Sequence, residues 1–365
     1  MLKQPFIPLL LPPKINYSSL LMKIVSARDI VSRYDEAVKR LPNPEIIQRS
    51  IRTKEAVLSS RIEGTQVTLD EMLLLDAQEE MDEDTQKEMD YREVFNYREA
   101  IFEGKRILQE RPLTENVIKR LHKILLNSVR GKDKAPGEFR IGQAYFGKPG
   151  ASIEQAIFIF APPQEITRLF SNLEKFLHLE ENIDPIVQIA IAHYQFEAIH
   201  PFSDGNGRVG RLIVPLFLYE KKVTTYPNIF VSEFLEEHRE EYYHYLKEVS
   251  EKNKWEQWVS FFLDAVIGQT KKTHLLITEI EQLHRDLRDM SPEFNSIYAD
   301  VFIDAMFQSP RFKVKQIKRI SGIKNNQTLY NLIEKFIKAG VLIDVFPSIS
   351  RNKIYAFKDL IRIIR

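Results

Sequence analysis

The sequence predicts a mainly α-helical chain with a small β-hairpin and a winged-helix domain at its C-terminal end. Three observations carry this. Apolar residues recur at three- and four-residue steps through most of the 365 residues. The stretch 131–163 breaks that period with Gly and Pro and closes on a short apolar run, AIFIFAPP. The tail from Ser291 reads helix, helix–turn–helix, hairpin.

Taken in order, residues 1–20 hold four of the 18 prolines and read as an extended arm. A helical period runs from about residue 25 to 130. Within it, Ser50–Gly64 is a helix with Ile51, Ala56, Leu58 and Ile62 on its apolar steps and Gly64 as its stop. Residues 79–90, EEMDEDTQKEMD, hold seven acids and one Lys and read as a solvated face or mobile loop. Residues 112–130 open with Pro112 and Thr114 and continue amphipathically through Ile118, Leu121, Ile124 and Leu125.

Residues 164–180 and 185–199 are helical, the second with a stripe of Ile186, Ile189, Ala190, His193 and Phe196. After the loop HPFSDGNG, RVGRLIVPLFLYE reads as a buried helix in which Pro215 bends the axis or leaves one carbonyl free. Residues 233–289 are helical, with Trp255 and Trp258 on adjacent turns. In the tail, Ile297–Phe307 and Val314–Ile320 are helices and Ser321–Lys324 is a turn. Asn326–Ala339 is a third helix with Leu329, Leu332, Ile333, Phe336 and Ile337 inward, and Gly340 stops it. VLIDV and KIYAF pair as a hairpin around Pro347–Arg351. The linear division is an N-terminal helical region (1–110), a core domain (111–250), connecting helices (251–290) and the winged-helix-like domain (291–365).

Composition excludes several classes. With 44% hydrophobic and 11% aromatic residues the chain has material for real cores. With no cysteine there is no disulfide, thiolate nucleophile or Cys-ligated metal, which suits a reducing cytoplasm. No apolar run approaches a spanning length and no signal-peptide pattern opens the chain, so the expectation is a cytoplasmic protein with no membrane partner. The net charge of +1 hides an asymmetry: residues 291–365 carry 13 Lys/Arg against 6 Asp/Glu.

The chemistry concentrates in His200-Pro201-Phe202-Ser203-Asp204-Gly205-Asn206-Gly207-Arg208-Val209-Gly210-Arg211. Gly205 and Gly207 let several backbone amides point into one concavity where the next helix begins, which makes an anion site. Arg208 and Arg211, three apart, suit a polyphosphate. Asp204 is a hard oxygen ligand suited to Mg²⁺ held mainly by phosphates and water. His200 is the one side chain in the loop able to act as a base near neutral pH, and Phe202 anchors the loop. Of the eight histidines only His200 has such surroundings; His193, on the buried stripe, reads as a core histidine. No Walker A loop, kinase glycine loop or His-x₃-His zinc pattern is present.

This segment resembles the Fic/Doc signature, H-x-F-x-(D or E)-G-N-G-R-x-x-R, at every fixed position: His200, Phe202, Asp204, Gly205, Asn206, Gly207, Arg208 and Arg211. Pro136-Gly137-Glu138-Phe139-Arg140 resembles a further family segment, and residues 151–163 sit where the family has its hairpin flap. The resemblance covers roughly residues 40–270 and implies a Fic-type helical core, with a winged helix of the kind some members append.

It implies transfer of AMP from ATP to a Ser, Thr or Tyr hydroxyl of a protein, self-modification included. Carried over, His200 takes the hydroxyl proton and Asp204 holds Mg²⁺ at the α- and β-phosphates. The backbone of Gly205, Asn206 and Gly207 cradles phosphate oxygens. Arg208 holds the β- and γ-phosphates and Arg211 reaches the γ-phosphate. The implied nucleotide-binding run includes Val209 and Gly210, with Tyr242 and Tyr243 on the adenine side. The protein target would dock on the 151–163 flap, and a homodimer is the family-based expectation. Ser59-Ser60-Arg61-Ile62-Glu63-Gly64 resembles the family's inhibitory motif, in a helix spanning about 50–64, where Glu63 would pair with Arg211 and Ser59 would share its face.

Two rivals accompany that reading. One is removal of AMP, or transfer of another nucleotide or phosphate, by the same site. The other is a DNA-binding regulator acting through the tail, with Asn325, Asn326, Gln327 and Asn331 toward bases and Arg311, Lys313, Lys315, Lys318 and Arg319 toward phosphates.

Overall fold

Helices dominate, as the periodicity predicts. The computed structural model describes residues 4–41, 44–78, 86–129, 132–148, 150–180, 183–349 and 351–365. Of the acidic run 79–90, residues 79–85 lie outside the described residues, as does residue 350 in the tail hairpin's turn. The N-terminal helices are α1 (Leu21–Arg40), α2 (Pro44–Ile62), α3 (Leu69–Gln78) and α4 (Gln86–Ile107). Then come α5 (Glu115–Leu125), the strands β1 (Tyr145–Phe146) and β2 (Phe158–Ile159), α6 (Pro163–Leu177), α7 (Pro185–Ile199) and α8 (Asn206–Glu220). The chain continues through α9 (Ser232–Glu237), α10 (Arg239–Lys252), the 35-residue α11 (Trp255–Asp289) and α12 (Ala299–Gln308). It ends with β3 (Arg311–Lys313), α13 (Val314–Ser321), α14 (Asn326–Lys338), β4 (Leu342–Asp344), β5 (Ile354–Phe357) and α15 (Lys358–Ile364). Among the described residues no helix is long and apolar enough to cross a membrane.

The chain forms two units, each assembled from separated segments. One comprises residues 1–35, 58–64 and 92–271. The other comprises 36–57, 65–91 and 272–365.

In the first unit, α7 is apolar all round and packs against α6 and α8. Asp184 caps it, its carboxylate accepting from the Ile186 amide, and Pro185 occupies the first turn, where no N–H is needed. Trp258, fully buried, donates its indole N–H to Ala190 O at 2.8 Å. Pro215 does not break α8; its missing amide falls opposite the Arg211 carbonyl.

The hairpin pairs Tyr145 with Ile159 and Phe146 with Phe158. Its first strand therefore lies upstream of the 151–163 flap, which holds only the second strand and its approach. The amide of Phe6, in the arm, bonds to Ile159 O at 2.9 Å.

In the second unit, β3, β5 and β4 form an antiparallel sheet in that order. The tail hairpin is β4 with β5, matching Ile343 with Ala356. β3 was not legible in sequence, because three residues after Pro310 give no alternation to detect. Ile337, expected inward, is exposed, while Leu329, Leu332, Ile333 and Phe336 are buried.

Candidate active site

The loop 200–206 is held at both ends by backbone geometry. His200 ends α7 with φ 51°, the left-handed region, and its amide still reaches Phe196 O. Gly205 precedes α8 with φ 75°, where glycine carries no steric penalty. Asn206 closes the loop: its Oδ1 accepts from the Phe202 amide and its Nδ2 donates to Phe202 O, both at 2.8 Å. Phe202 is fully buried and stacks on His122 at 3.8 Å.

No side chain caps α8, so its first-turn amides stay available to an anion. Gly205 donates its amide to Asp204 Oδ1 at 2.6 Å, and Arg208 Nη2 stands 3.5 Å from the same oxygen. Asp204 is itself 39% exposed at the side chain, so a carboxylate oxygen remains for a cation. Among the described residues no group of three or more His, Asp or Glu side chains could hold a metal. A single carboxylate beside an anion nest fits Mg²⁺ carried in on phosphates rather than a resident metal.

Both arginines are buried. Arg208 Nη1 lies 3.4 Å from Glu93 Oε2, and neither Nη1 nor Nε of Arg208 has a hydrogen-bond partner. Buried guanidinium donors left open beside an uncapped helix end are a polyanion's requirement. Arg211 is engaged by the last turn of α2 and the residue after it. Its Nε donates to Ser59 Oγ at 2.9 Å, and its Nη2 donates to Ser59 O at 2.8 Å and to Glu63 Oε1 at 2.7 Å. Burial alone would raise the Glu63 carboxyl, but Arg211 holds it below the usual range. Burial likewise opposes the Arg211 charge, and Glu63 outweighs it. A methyl group at Gly207 would collide with Glu63 Oε1, so the pairing requires glycine there. Arg239 fixes the same segment by donating to Ile62 O at 3.1 Å.

The His200 ring stacks on Phe160 at 3.9 Å. Burial first, then Arg140, push its imidazole down to about 4, against the opposing charge of Glu63. At neutral pH it is therefore an uncharged base.

Two models of one family match the chain consecutively: the Fic/DOC family N-terminal over residues 21–106 and the Fic/DOC family over residues 112–218. Together they cover more than half of it. The chain belongs to the Fic/DOC family.

A protein adenylyltransferase Fic of Culex quinquefasciatus is 35% identical over 120 residues, which is 32% of this chain and 20% of that protein. The one of Drosophila melanogaster is 31% identical over 150 residues, 40% of this chain and 26% of that protein. The chain thus matches about a fifth to a quarter of these relatives' length. A Fic family protein from Desulfovibrio desulfuricans shares the fold with a TM-score of 0.60 at 19% identity, over 95% of this chain and 98% of that one. Fic-1 from C. elegans superposes with 0.55 at 19% identity, over 70% and 72%.

In this Fic/DOC protein the adenine-side pair separates. Tyr242 is buried, its hydroxyl 3.0 Å from His193 Nε2. Tyr243 stacks on Phe146 of the hairpin at 5.5 Å and keeps its place as a candidate. His193 is buried, with its ring nitrogens bonded to Gly210 O and Tyr242. Val209 is fully buried and Gly210 is closely covered by Glu197, so neither offers a side chain to a ligand.

Sequence reasoning missed four supporting residues. Arg140 donates to the carbonyls of His200, Gly142, Ala161 and Ile199, tying the start of the loop to the residues that flank the hairpin. His122 accepts from the Gly137 amide at Nδ1 and reaches Asp204 O from Nε2 at 3.0 Å. Glu93 faces Arg208. Glu197, one turn before His200, is pushed up to about 8 by burial and by Glu63, with Arg211 opposing.

Arg140→Ala strips four carbonyls of their donor, those of Ala161 and Ile199 buried, and a stability loss of roughly 3 kcal/mol is expected in urea unfolding. Stability also responds to acid. His122, His193 and His200 are each lowered to about 4 from 6.5, burial leading in all three. The unfolded chain binds their protons first, so their contribution is full above about 6.5 and declines as pH falls toward 4; Glu197, raised to about 8, acts the opposite way with one proton against three. Melting temperatures between pH 7 and 5 measure this, and a flat series contradicts it.

Proposed function

We propose that the chain transfers AMP from ATP to a hydroxyl of a protein, its own included, and that Glu63 restrains it. The carrying observation is the run 200–211, which holds within twelve residues a neutral imidazole, a part-exposed carboxylate, uncapped helix amides and the open donors of Arg208. The hydroxyl oxygen attacks the α-phosphorus and the bond to the β-phosphate oxygen breaks. Pyrophosphate leaves, and the proton passes to His200 Nε2, the ring nitrogen that is not buried.

Amides of α8 and Arg208 bind the phosphates and orient the α-phosphorus. Asp204 would hold Mg²⁺, which when bound supplies charge neutralisation at the phosphates. The restraint follows from Arg211: while Ser59 and Glu63 occupy its donors, it cannot grip a γ-phosphate, and Glu63 adds a like charge there. The exposed β1 residues Tyr145 and Phe146 are the docking edge for the target backbone.

The test is Glu63→Gly incubated with Mg-ATP labelled at either the α- or the γ-phosphate. Retention of the α-label with a mass gain of one AMP on a hydroxyl supports the reading. Retention of the γ-label, or of neither, ends it. Glu63 stays ionised, which also suits it to positioning water for AMP removal. Release of AMP from a pre-modified protein by the wild type, lost in Glu63→Gly, identifies that direction.

A further inference from the structure

We propose, resting on the adenylyl-transfer reading above, that Phe160 is a positioning residue: its phenyl face holds the His200 imidazole in the plane that presents Nε2 to the incoming hydroxyl. The hairpin strand β2 thereby sets the base that α7 carries.

The His200 ring needs such a restraint. Its backbone, at φ 51°, fixes where Cβ points but not how the ring is turned, because the terminal torsion of a histidine is broad. Nδ1 is buried and makes no hydrogen bond among the described residues. The Glu197 carbonyl lies toward the ring but outside hydrogen-bond geometry. Phe160 supplies what is missing: the two rings stack with centroids 3.9 Å apart and planes 13° from parallel. A stacked face fixes the plane and leaves the ring's edge free, and both nitrogens lie on that edge. Nε2, unlike Nδ1, is not buried.

Phe160 is itself fixed. Its amide donates to Ala144 O at 3.1 Å and its carbonyl accepts from Gln143 Nε2 at 2.8 Å. Its ring meets Phe158 edge-on at 5.3 Å, and Phe158 meets Phe6 of the arm at 5.4 Å. Arg140 then ties together the two chains that carry the stacked rings. Its Nε donates to His200 O at 2.7 Å and its Nη2 to the carbonyl of Ala161, the residue after Phe160. One guanidinium thus sets the spacing of the two backbones, and the stack follows from it.

The same face governs charge. A phenyl ring over one side of an imidazole excludes water there and disfavours the imidazolium. Burial leads in lowering His200, Arg140 adds to it, and Glu63 and the Glu197 carbonyl oppose it. Without Phe160, water returns to one face and the imidazole should move back toward its ordinary 6.5.

Two readouts test this. In NMR of the full chain labelled with ¹³C-histidine and free of nucleotide, the signal missing from His200→Ala identifies the ring. Titrated down to about pH 5, that signal should stay neutral in the wild type and in Phe160→Tyr. In Phe160→Ala its midpoint should rise above about 5.5. In the Glu63→Gly background with α-labelled ATP, Phe160→Ala should lower kcat about 10- to 100-fold, leave the KM for ATP unchanged and give the rate an acidic limb. Phe160→Tyr keeps the flat face and should restore kcat. Phe160→Val, suited to a strand end, repeats both readouts with smaller changes if the alanine variant unfolds. A His200 signal still neutral at about pH 5 in the truncated variant overturns the proposal, as does a Phe160→Tyr protein no better than Phe160→Ala. The titration needs no nucleotide. If no variant incorporates label, adenylyl transfer fails, while the midpoint still decides the part played by Phe160.

Discussion

Replacing Glu63 by glycine is expected to raise the initial rate of AMP incorporation about 10- to 100-fold over wild type. A charge-assisted hydrogen bond contributes about 1.5–3 kcal/mol, and each 1.4 kcal/mol is tenfold. Arg211 donates such a bond to Glu63 at 2.7 Å, and Glu63 is the only partner carrying charge among the two that hold it. Removing the carboxylate frees one of the two Nη2 hydrogens and deletes a negative charge where a γ-phosphate would lie. Ser59→Ala should act in the same direction but less, because the Ser59 carbonyl still accepts from Nη2. Incorporation of α-labelled ATP, followed over time for the three proteins, measures both. Equal or lower rates in Glu63→Gly remove the restraint from the account.

Replacing His200 by alanine is expected to lower incorporation about 10²- to 10⁴-fold, measured in the Glu63→Gly background, with ATP affinity unchanged. The amides of α8 and the two arginines belong to other residues and survive the change. The imidazole is lowered to about 4, so it remains a neutral base across pH 5.5–8. The rate should therefore show no acidic limb near 6.5. A limb there, absent in His200→Ala, would mean that the ring is solvated during the reaction. Undiminished labelling in His200→Ala would remove it from the chemistry altogether.

Much of the site was legible because its parts are local. The run from His200 to Arg211 carries base, carboxylate, glycines and arginines within twelve residues, and short-range spacing alone brings them together. The pairing of Glu63 with Arg211 was reached through family resemblance, and it joins residues 148 apart. The supporting shell had no such signal. Arg140 and His122 act on the loop from 60 and 82 residues away in sequence. Glu197 is an ordinary helical residue until α8 covers it.

Tyr242, expected on the adenine side, is buried with its hydroxyl on His193, a contact that sequence spacing does not show. Arg311 and Lys313 counted as free cations in sequence, yet α3 uses both.

The sequence by itself determined the helical class, the positions of most helices and the chemistry of the 200–211 loop. Periodicity, prolines, glycines and motif spacing act over a few residues at a time. Tertiary structure alone decided which charges are spent. It set Glu63 against Arg211, clamped the loop carbonyls with Arg140, lowered His200, and consumed Arg311 at Asp70. Ionisation and hydrogen bonding depend on burial and on partners brought together across the chain, and neither is a property of neighbouring residues.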